Sequence, residues 1–185
     1  TVEGKAAVIW LTGLSGSGKS TIADRVAAEL KRLGCAVEKL DGDGVRELFP
    51  TGFSRDERNL HIRRMGYMAG LLNRHGVFVV ASFISPYREA RDFARTCAQR
   101  FVEVYVATPL AECERRDVKG LYARARRGEI RDFTGISDPY EPPLVPELTL
   151  DTARDWSIRY ASVRDTANPE DVPAQTEGVA TGGAD

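Results

Sequence analysis

The segment Gly13-Leu14-Ser15-Gly16-Ser17-Gly18-Lys19-Ser20 constrains this chain more than any other. It fits G-x-x-x-x-G-K-[ST] and stands where that pattern has mechanical meaning, after an apolar run (Val8–Thr12) and before a helical pattern. From Thr21 onward Ile22, Val26, Leu30 and Leu33 share one helical face, and Gly34 closes the segment. Such a loop lets backbone N–H groups surround a phosphate at a helix N-terminus, where the helix dipole favours negative charge. In that arrangement Lys19 reaches the β- and γ-phosphates of a nucleotide and the Ser20 hydroxyl ligates Mg²⁺.

The rest of the chain continues the alternation of strands and helices. Ala36–Leu40 reads as a second strand with Asp41–Asp43 at its end. Ser54-Arg55-Asp56-Glu57 is a capping box opening a long helix to Arg74, with Met65, Met68 and Leu72 on its buried side and Gly76 beyond its end. Val77–Ala81 is apolar on both faces, as a central parallel strand requires. A helix is expected from Pro86 to about Arg100, a strand over Phe101–Ala107 and a short helix from Pro109. Residues 137–147 hold four prolines and read as an extended crossing. Leu148–Leu150 fits a last short strand, and Asp155–Arg164 a weakly patterned helix. The fold expected is α/β: a three-layer P-loop NTPase domain with a mostly parallel sheet, spanning residues 1–165. Residues 166–185 contain no Leu, Ile or Phe and are expected to be a disordered tail.

Composition narrows the class. With 26 basic against 27 acidic residues there is no basic excess, which argues against a dedicated nucleic-acid binder. No apolar run approaches the roughly 18 residues of a membrane span. Cys35, Cys97 and Cys113 form no C-x-x-C pair, so neither a zinc knuckle nor a disulfide framework is expected, and packing is their simplest role. No signal-peptide pattern opens the sequence, and a cytoplasmic protein is the expectation. A guanine-reading N-K-x-D is absent, as is an apolar strand ending in Asp-Glu. The size suits a small-molecule kinase with a basic lid. Residues 115–132 supply the lid candidate: Arg115, Arg116, Lys119, Arg124, Arg126, Arg127 and Arg131 crowd a segment with few apolar anchors.

Several stretches then converge: Gly13–Ser20, Leu40–Asp43 (LDGD) with Arg46, Gly52-Phe53-Ser54 with Arg58, Arg63 and Arg64, and Ser82–Tyr87 (SFISPY). Cys113–Tyr122 (CERRDVKGLY), Ala125-Arg126 with Gly128-Glu129-Ile130, Phe133–Ile136 (FTGI) and Asp138–Pro142 (DPYEP) continue the set in order to about residue 150. Together they resemble the adenylylsulfate kinase (APS kinase) family. The resemblance implies transfer of the ATP γ-phosphate to the 3′-hydroxyl of adenosine 5′-phosphosulfate (APS), giving PAPS and ADP in sulfate assimilation. It also implies Mg²⁺ as cofactor, a homodimer, and possible fusion or association with ATP sulfurylase.

Residue by residue, the resemblance implies an ATP site at Gly13–Ser20 with Thr21, Arg115 and Asp155. It implies an acceptor site at Asp43, Arg46, Arg58, His61, Ile84, Ser85, Lys119, Gly120, Leu121 and Thr134, with Phe53 and Phe133 sandwiching the substrate adenine. Phe133 lies in a polar stretch, which favours exposure. Lys19, Asp43 and Ser85 are the catalytic candidates, and Ser20 with Asp43 the metal candidates. Asp43 is placed to hold Mg²⁺ or accept the hydroxyl proton, whereas Asp41 points the other way if the strand continues. The family's serine at Ser85 is commonly described as a phosphoserine intermediate; with no base adjoining it in sequence, positioning is the favoured role. His61 stands where members usually carry Asn, Gly44 replaces an Asn, and the stretch from Arg46 to Phe53 is short. Two rival readings remain: a kinase for a related acceptor, and a nucleotide-binding regulatory module of a larger sulfurylase–kinase.

Overall fold

Strand β1 (Val8–Thr12) lies at the centre of the sheet, and all of its residues but Ile9 are buried. A strand hydrogen-bonded on both edges and covered on both faces must be apolar throughout, as VIWLT nearly is. The computed structural model describes residues 6–52, 54–153 and 158–159. The remaining elements are α1 (Lys19–Arg32), β2 (Val37–Asp41), α2 (Gly42–Leu48), α3 (Arg55–Arg74), β3 (Phe78–Ser82) and α4 (Arg88–Cys97). They are followed by β4 (Phe101–Val106), α5 (Leu110–Arg116), α6 (Leu121–Arg126), β5 (Leu148–Leu150) and β6 (Ile158–Arg159). The sheet order is β2-β3-β1-β4-β5-β6. Strands β2 to β5 and β1 pair in parallel, and β6 runs antiparallel to β5.

Two cores lie on opposite faces of the sheet, which makes the three layers. On one face Trp10, Val79, Ala81 and Phe83 pack with Ile62, Met65, Ala90 and Ala94 of α3 and α4. On the other, Leu11, Val80, Val104 and Val106 pack with Ile22, Ala23 and Ala27 of α1. Helix α3 opens on the expected capping box: the Ser54 hydroxyl accepts from the Glu57 amide, and the Glu57 carboxylate accepts from the Ser54 amide. It ends at His75, followed by Gly76 at φ +78°. Cys113 is buried, Cys35 and Cys97 are half-buried, and all three are free thiols. Among the described residues no helix is long and apolar enough to cross a membrane.

The structure departs from sequence expectation at four places. Gly42–Leu48 is a helix, although its two glycines give it poor propensity; position at the end of β2 overrides that preference. Helix α4 starts at Arg88 and stops at Cys97, inside the expected Pro86–Arg100 limits. Ile158–Arg159 extends the sheet edge, so the helix expected over Asp155–Arg164 is not formed there. The lid is not short of apolar anchors: Cys113, Tyr122, Ala125 and Phe133 bury one another, with Leu14, Leu110, Leu121, Ile130 and Ile136 around them. These residues are scattered along the sequence from Leu14 to Ile136, and the fold brings them together.

Helices α3 and α4 approach closely because α3 presents glycines. A Cβ at Gly66 would lie 2.6 Å from the Ala94 Cβ, and one at Gly70 would collide with the Cys97 carbonyl. Gly70→Ala is therefore expected to destabilise the domain by about 1–3 kcal/mol despite alanine's better helix propensity. Differential scanning calorimetry should show Tm lowered by several degrees; an unchanged or higher Tm would contradict the close-approach argument.

Candidate functional site

A cavity of about 490 Å³ opens at the carboxyl ends of β1, β2 and β3, roofed by the segment from α5 to α6. In an open parallel sheet this is where strand order reverses and ligands bind. The loop between β1 and α1 forms its floor. Gly13, Gly16 and Gly18 adopt φ of +150°, +72° and +96°, conformations that side chains disfavour. Gly13 is doubly constrained, since a Cβ there would lie 2.5 Å from the Val106 carbonyl oxygen. Gly18 precedes α1 without any side-chain cap, so the helix start is left open to an anion.

Ser15, Gly16, Gly18, Lys19, Ser20 and Thr21 line the cavity, whereas Gly13, Leu14 and Ser17 build the loop from behind. The Lys19 ammonium donates to the Leu14 carbonyl at 2.6 Å and to the Ser17 hydroxyl at 3.3 Å. Burial pulls its pKa down to about 8; the nearby Lys119 charge acts in the same direction, and Cys113, Asp41 and Asp43 partly offset both. Opposite, Asp43 presents an exposed carboxylate that pairs with Lys119 from the lid. Asp41 also lines the cavity. The expectation that it would point away fails on the strand period itself, since residues two apart share a face, and the chain in any case turns helical at Gly42.

The far wall is built by α3, the 83–86 loop and residues 130–134. Arg46, Arg58, His61, Ile84, Ser85, Phe133 and Thr134 all line the cavity. Arg58 is buried, and much of its fork is taken by protein: it donates to Thr134 Oγ1 at 2.7 Å, to Asp138 Oδ2 at 3.0 Å and to the Asp132 carbonyl. It ties residues 132–138 to α3 rather than standing as an open anion fork. His61 is only 5% exposed, and its Nε2 has no hydrogen-bond partner. Burial, then the charges of Arg46 and Arg64, lower its pKa and favour the neutral ring. Phe133 lines the cavity but is 6% exposed, with its ring edge-on to Tyr122 at 5.1 Å. The expected exposure fails because Tyr122 and the lid cluster enclose a residue whose sequence neighbours are polar. Phe53 and Asp155 lie outside the described residues.

Ser85 is 1% exposed and adopts φ +42°. Its hydroxyl accepts from Trp10 Nε1 at 3.1 Å and donates to Thr12 Oγ1 at 3.0 Å. Leu121 and Lys119 reach the cavity; Gly120 does not line it but precedes α6 at φ +64°. Arg115 does not reach the site: it is exposed and paired with Glu112. Its neighbour Arg116 lines the cavity instead, donating to the Gly16 carbonyl at 3.4 Å and the Thr152 carbonyl at 2.8 Å. Arg124 and Arg127 pair with Glu129, and Arg126 with Glu114, so these lid arginines form a solvated charged face. Sequence reasoning also missed Ser82, whose buried hydroxyl lines the cavity without a partner, and Tyr122, whose hydroxyl donates to the Ser15 carbonyl at 2.8 Å. Both lie in stretches that carry the resemblance, yet neither was singled out for the site, because each looks like an ordinary core residue in its strand or helix.

Comparison with known proteins agrees with this geometry. The profile of the adenylylsulphate kinase family matches residues 5–151. An adenylyl-sulfate kinase of Gloeothece citriformis is 56% identical over 150 residues, 80% of this chain and 85% of the relative. One of Halothermothrix orenii is 51% identical over 160 residues, 85% of this chain and 86% of the relative. Among solved structures, the Mycobacterium tuberculosis APS kinase in complex with AMPPNP and APS is 44% identical with a TM-score of 0.77, covering 80% of this chain and 90% of that one.

The buried lysine makes phosphate binding sensitive to pH. A polyphosphate beside Lys19 favours the ammonium and so raises its pKa from about 8. Affinity is then full below that pH and falls as the pH climbs past it. Calorimetric titration with an ATP analogue is expected to show this decline, and Lys19→Met to bind weakly with no such slope; a flat profile in the unaltered protein would refute the burial argument.

Proposed function

Because the chain belongs to the adenylylsulfate kinase family, we propose that its cavity holds Mg·ATP on the Lys19 side and APS against the wall of His61 and Phe133. The reaction is transfer of the ATP γ-phosphoryl group to the 3′-hydroxyl of APS, yielding PAPS and ADP. One observation supports the assignment of both substrates to one enclosure: the phosphate loop, Asp43 and the His61–Phe133 wall line a single cavity. Its match to an APS kinase solved with AMPPNP and APS supports the same reading.

In this reading the open amides of the loop and the Lys19 ammonium receive the β- and γ-phosphates. Ser20 and Asp43 are hard oxygen donors facing the cavity, and they suit Mg²⁺. Among the described residues no group of three acidic, His or Cys side chains could hold a metal alone, so phosphates and water would supply the remaining ligands. Bound there, the ion neutralises charge on the transferring phosphate. Lys119 pairs with Asp43 through an exposed contact, which it exchanges for substrate when the site fills. Arg116, rather than Arg115, serves the nucleotide side. Asp43 is the carboxylate available to the metal or to the 3′-hydroxyl proton.

The Ser85 hydroxyl is already committed to Trp10 and Thr12, which favours a positioning role over a phosphoserine intermediate. We also read the protein as a cytoplasmic homodimer. Leu60, Tyr67 and Leu71, exposed along α3, offer an apolar face that supports self-association. Association with an ATP sulfurylase belongs to the same family reading.

Chromatographic detection of ADP and a 3′-phosphorylated product from Mg·ATP with APS, beside AMP and no acceptor, tests the reaction. Release with APS alone is expected, and chelation of the metal should stop it; ATP binding without release on any acceptor would favour the regulatory reading. Asp43→Ala should lower kcat at least about a hundredfold while nucleotide still binds. Retained turnover would remove Asp43 from the mechanism.

A further inference from the structure

Arg91 sits in α4, outside the cavity lining, and is 2% exposed. A buried guanidinium must have its donors satisfied, and the choice of partners shows what it holds. Nε donates to Glu103 Oε1 of β4 at 2.9 Å. Nη1 donates to the Ser85 carbonyl at 2.6 Å, and Nη2 to the Glu141 carbonyl at 2.7 Å. One side chain therefore joins the sheet, the 83–86 loop and the crossing that follows the lid.

These contacts close a ring. The Ser85 hydroxyl donates to Thr12 Oγ1, which donates to the Ile84 carbonyl at 2.8 Å and lies 2.9 Å from the Tyr140 hydroxyl. Tyr140 precedes Glu141, whose carbonyl returns to Arg91. The ring passes through Thr12, the last residue of β1, next to Gly13, whose amide donates to the Ile84 carbonyl at 3.5 Å. Within it Ser85 keeps φ +42°, a conformation a non-glycine residue holds only where its surroundings over-determine it. Trp10 and Thr12 fix the Ser85 side chain, while Arg91 supplies its buried cationic backbone contact.

We propose that Arg91 is a positioning residue for phosphoryl transfer: through the Ser85 carbonyl it sets the Ile84–Ser85 wall of the acceptor side relative to the phosphate loop. Neither Ile84 nor Ser85 can shift without breaking a contact to β1, and β1 carries the phosphate loop. In-line transfer depends on that separation, and a displacement of about 1 Å costs on the order of a hundredfold in rate. The proposal rests on the kinase reading for its catalytic consequence and on the hydrogen-bond ring alone for its structural one.

Arg91→Lys retains the charge beside Glu103 but cannot reach three separated acceptors. Glu103→Gln perturbs the same buried pair yet keeps an acceptor for Nε and leaves the Ser85 contact in place. Both variants are compared well below their measured Tm values. Arg91→Lys is expected to lower kcat/KM for APS about tenfold to a hundredfold with nucleotide affinity within about twofold of the unaltered protein, while Glu103→Gln stays within about threefold. The Trp10 indole N–H, bonded to Ser85, gives a readout independent of turnover. Its ¹H–¹⁵N resonance, assigned with Trp156→Phe, should shift or gain solvent exchange in Arg91→Lys but not in Glu103→Gln. An unmoved resonance with unchanged kinetics in Arg91→Lys overturns the proposal, as do equal losses in both variants, which would reduce Arg91 to a stabilising ion pair. If the unaltered protein does not phosphorylate APS the kinase reading fails, and the indole resonance still decides whether Arg91 holds Ser85.

Discussion

The carboxyl end of β1 is where the remaining structure is referred. There Trp10 and Thr12 are completely buried, Gly13 turns against the Val106 carbonyl, and the strand gives way to a loop that must leave amides open. A side chain at Gly13 would push β4 away, and a residue without a hydroxyl at Thr12 would lose the side-chain contacts to Ile84 and Tyr140. The parallel neighbours β3 and β4 thus do more than enclose a core. Together with β1 they hold the 13–20 and 83–86 loops, proposed for phosphate and acceptor, in fixed register with each other.

Electrostatics around this point follow burial. Lys19 is buried, so its charge is costly without a compensating anion; the same burial makes charge–charge contacts there stronger. The lid illustrates the opposite regime. Most of its arginines are exposed and saturated by glutamates of the same segment, where they keep the surface soluble and contribute little to binding. What fastens the lid to the loop is apolar packing around Cys113 and Phe133 together with the Tyr122 hydroxyl on Ser15. Arg116 and Lys119 are the lid cations that turn inward, each to a partner on the cavity rim.

Much of the candidate site is legible in the sequence because phosphate chemistry leaves a contiguous signature. The strand, the glycines, Lys19 and Ser20 must follow one another in sequence, so a linear motif captures them. The resemblance over Ser82–Tyr87 and Cys113–Tyr122 extended that reading to the acceptor wall. The failures share a cause. Arg115 and Arg116 are adjacent and chemically identical, and only the pitch of α5 decides that the second turns inward. Phe133 has polar neighbours in sequence and apolar ones in space. Asp41 was misdirected because residues two apart share a face of a strand, and its chain turns helical at Gly42 besides.

By itself, then, the sequence determined the phosphate loop, the alternation of strands and helices, and the family to which the chain belongs, because each depends on local order along the chain. Tertiary structure alone decided what Arg58, Ser85 and Arg91 do. Each carries donors or acceptors that must be satisfied once buried, and their partners lie far away in sequence: Thr134 and Asp138 for Arg58, Trp10 and Thr12 for Ser85, Glu103 and Glu141 for Arg91. Which partner a buried polar group finds depends on how layers close over it, and no periodicity or spacing records that.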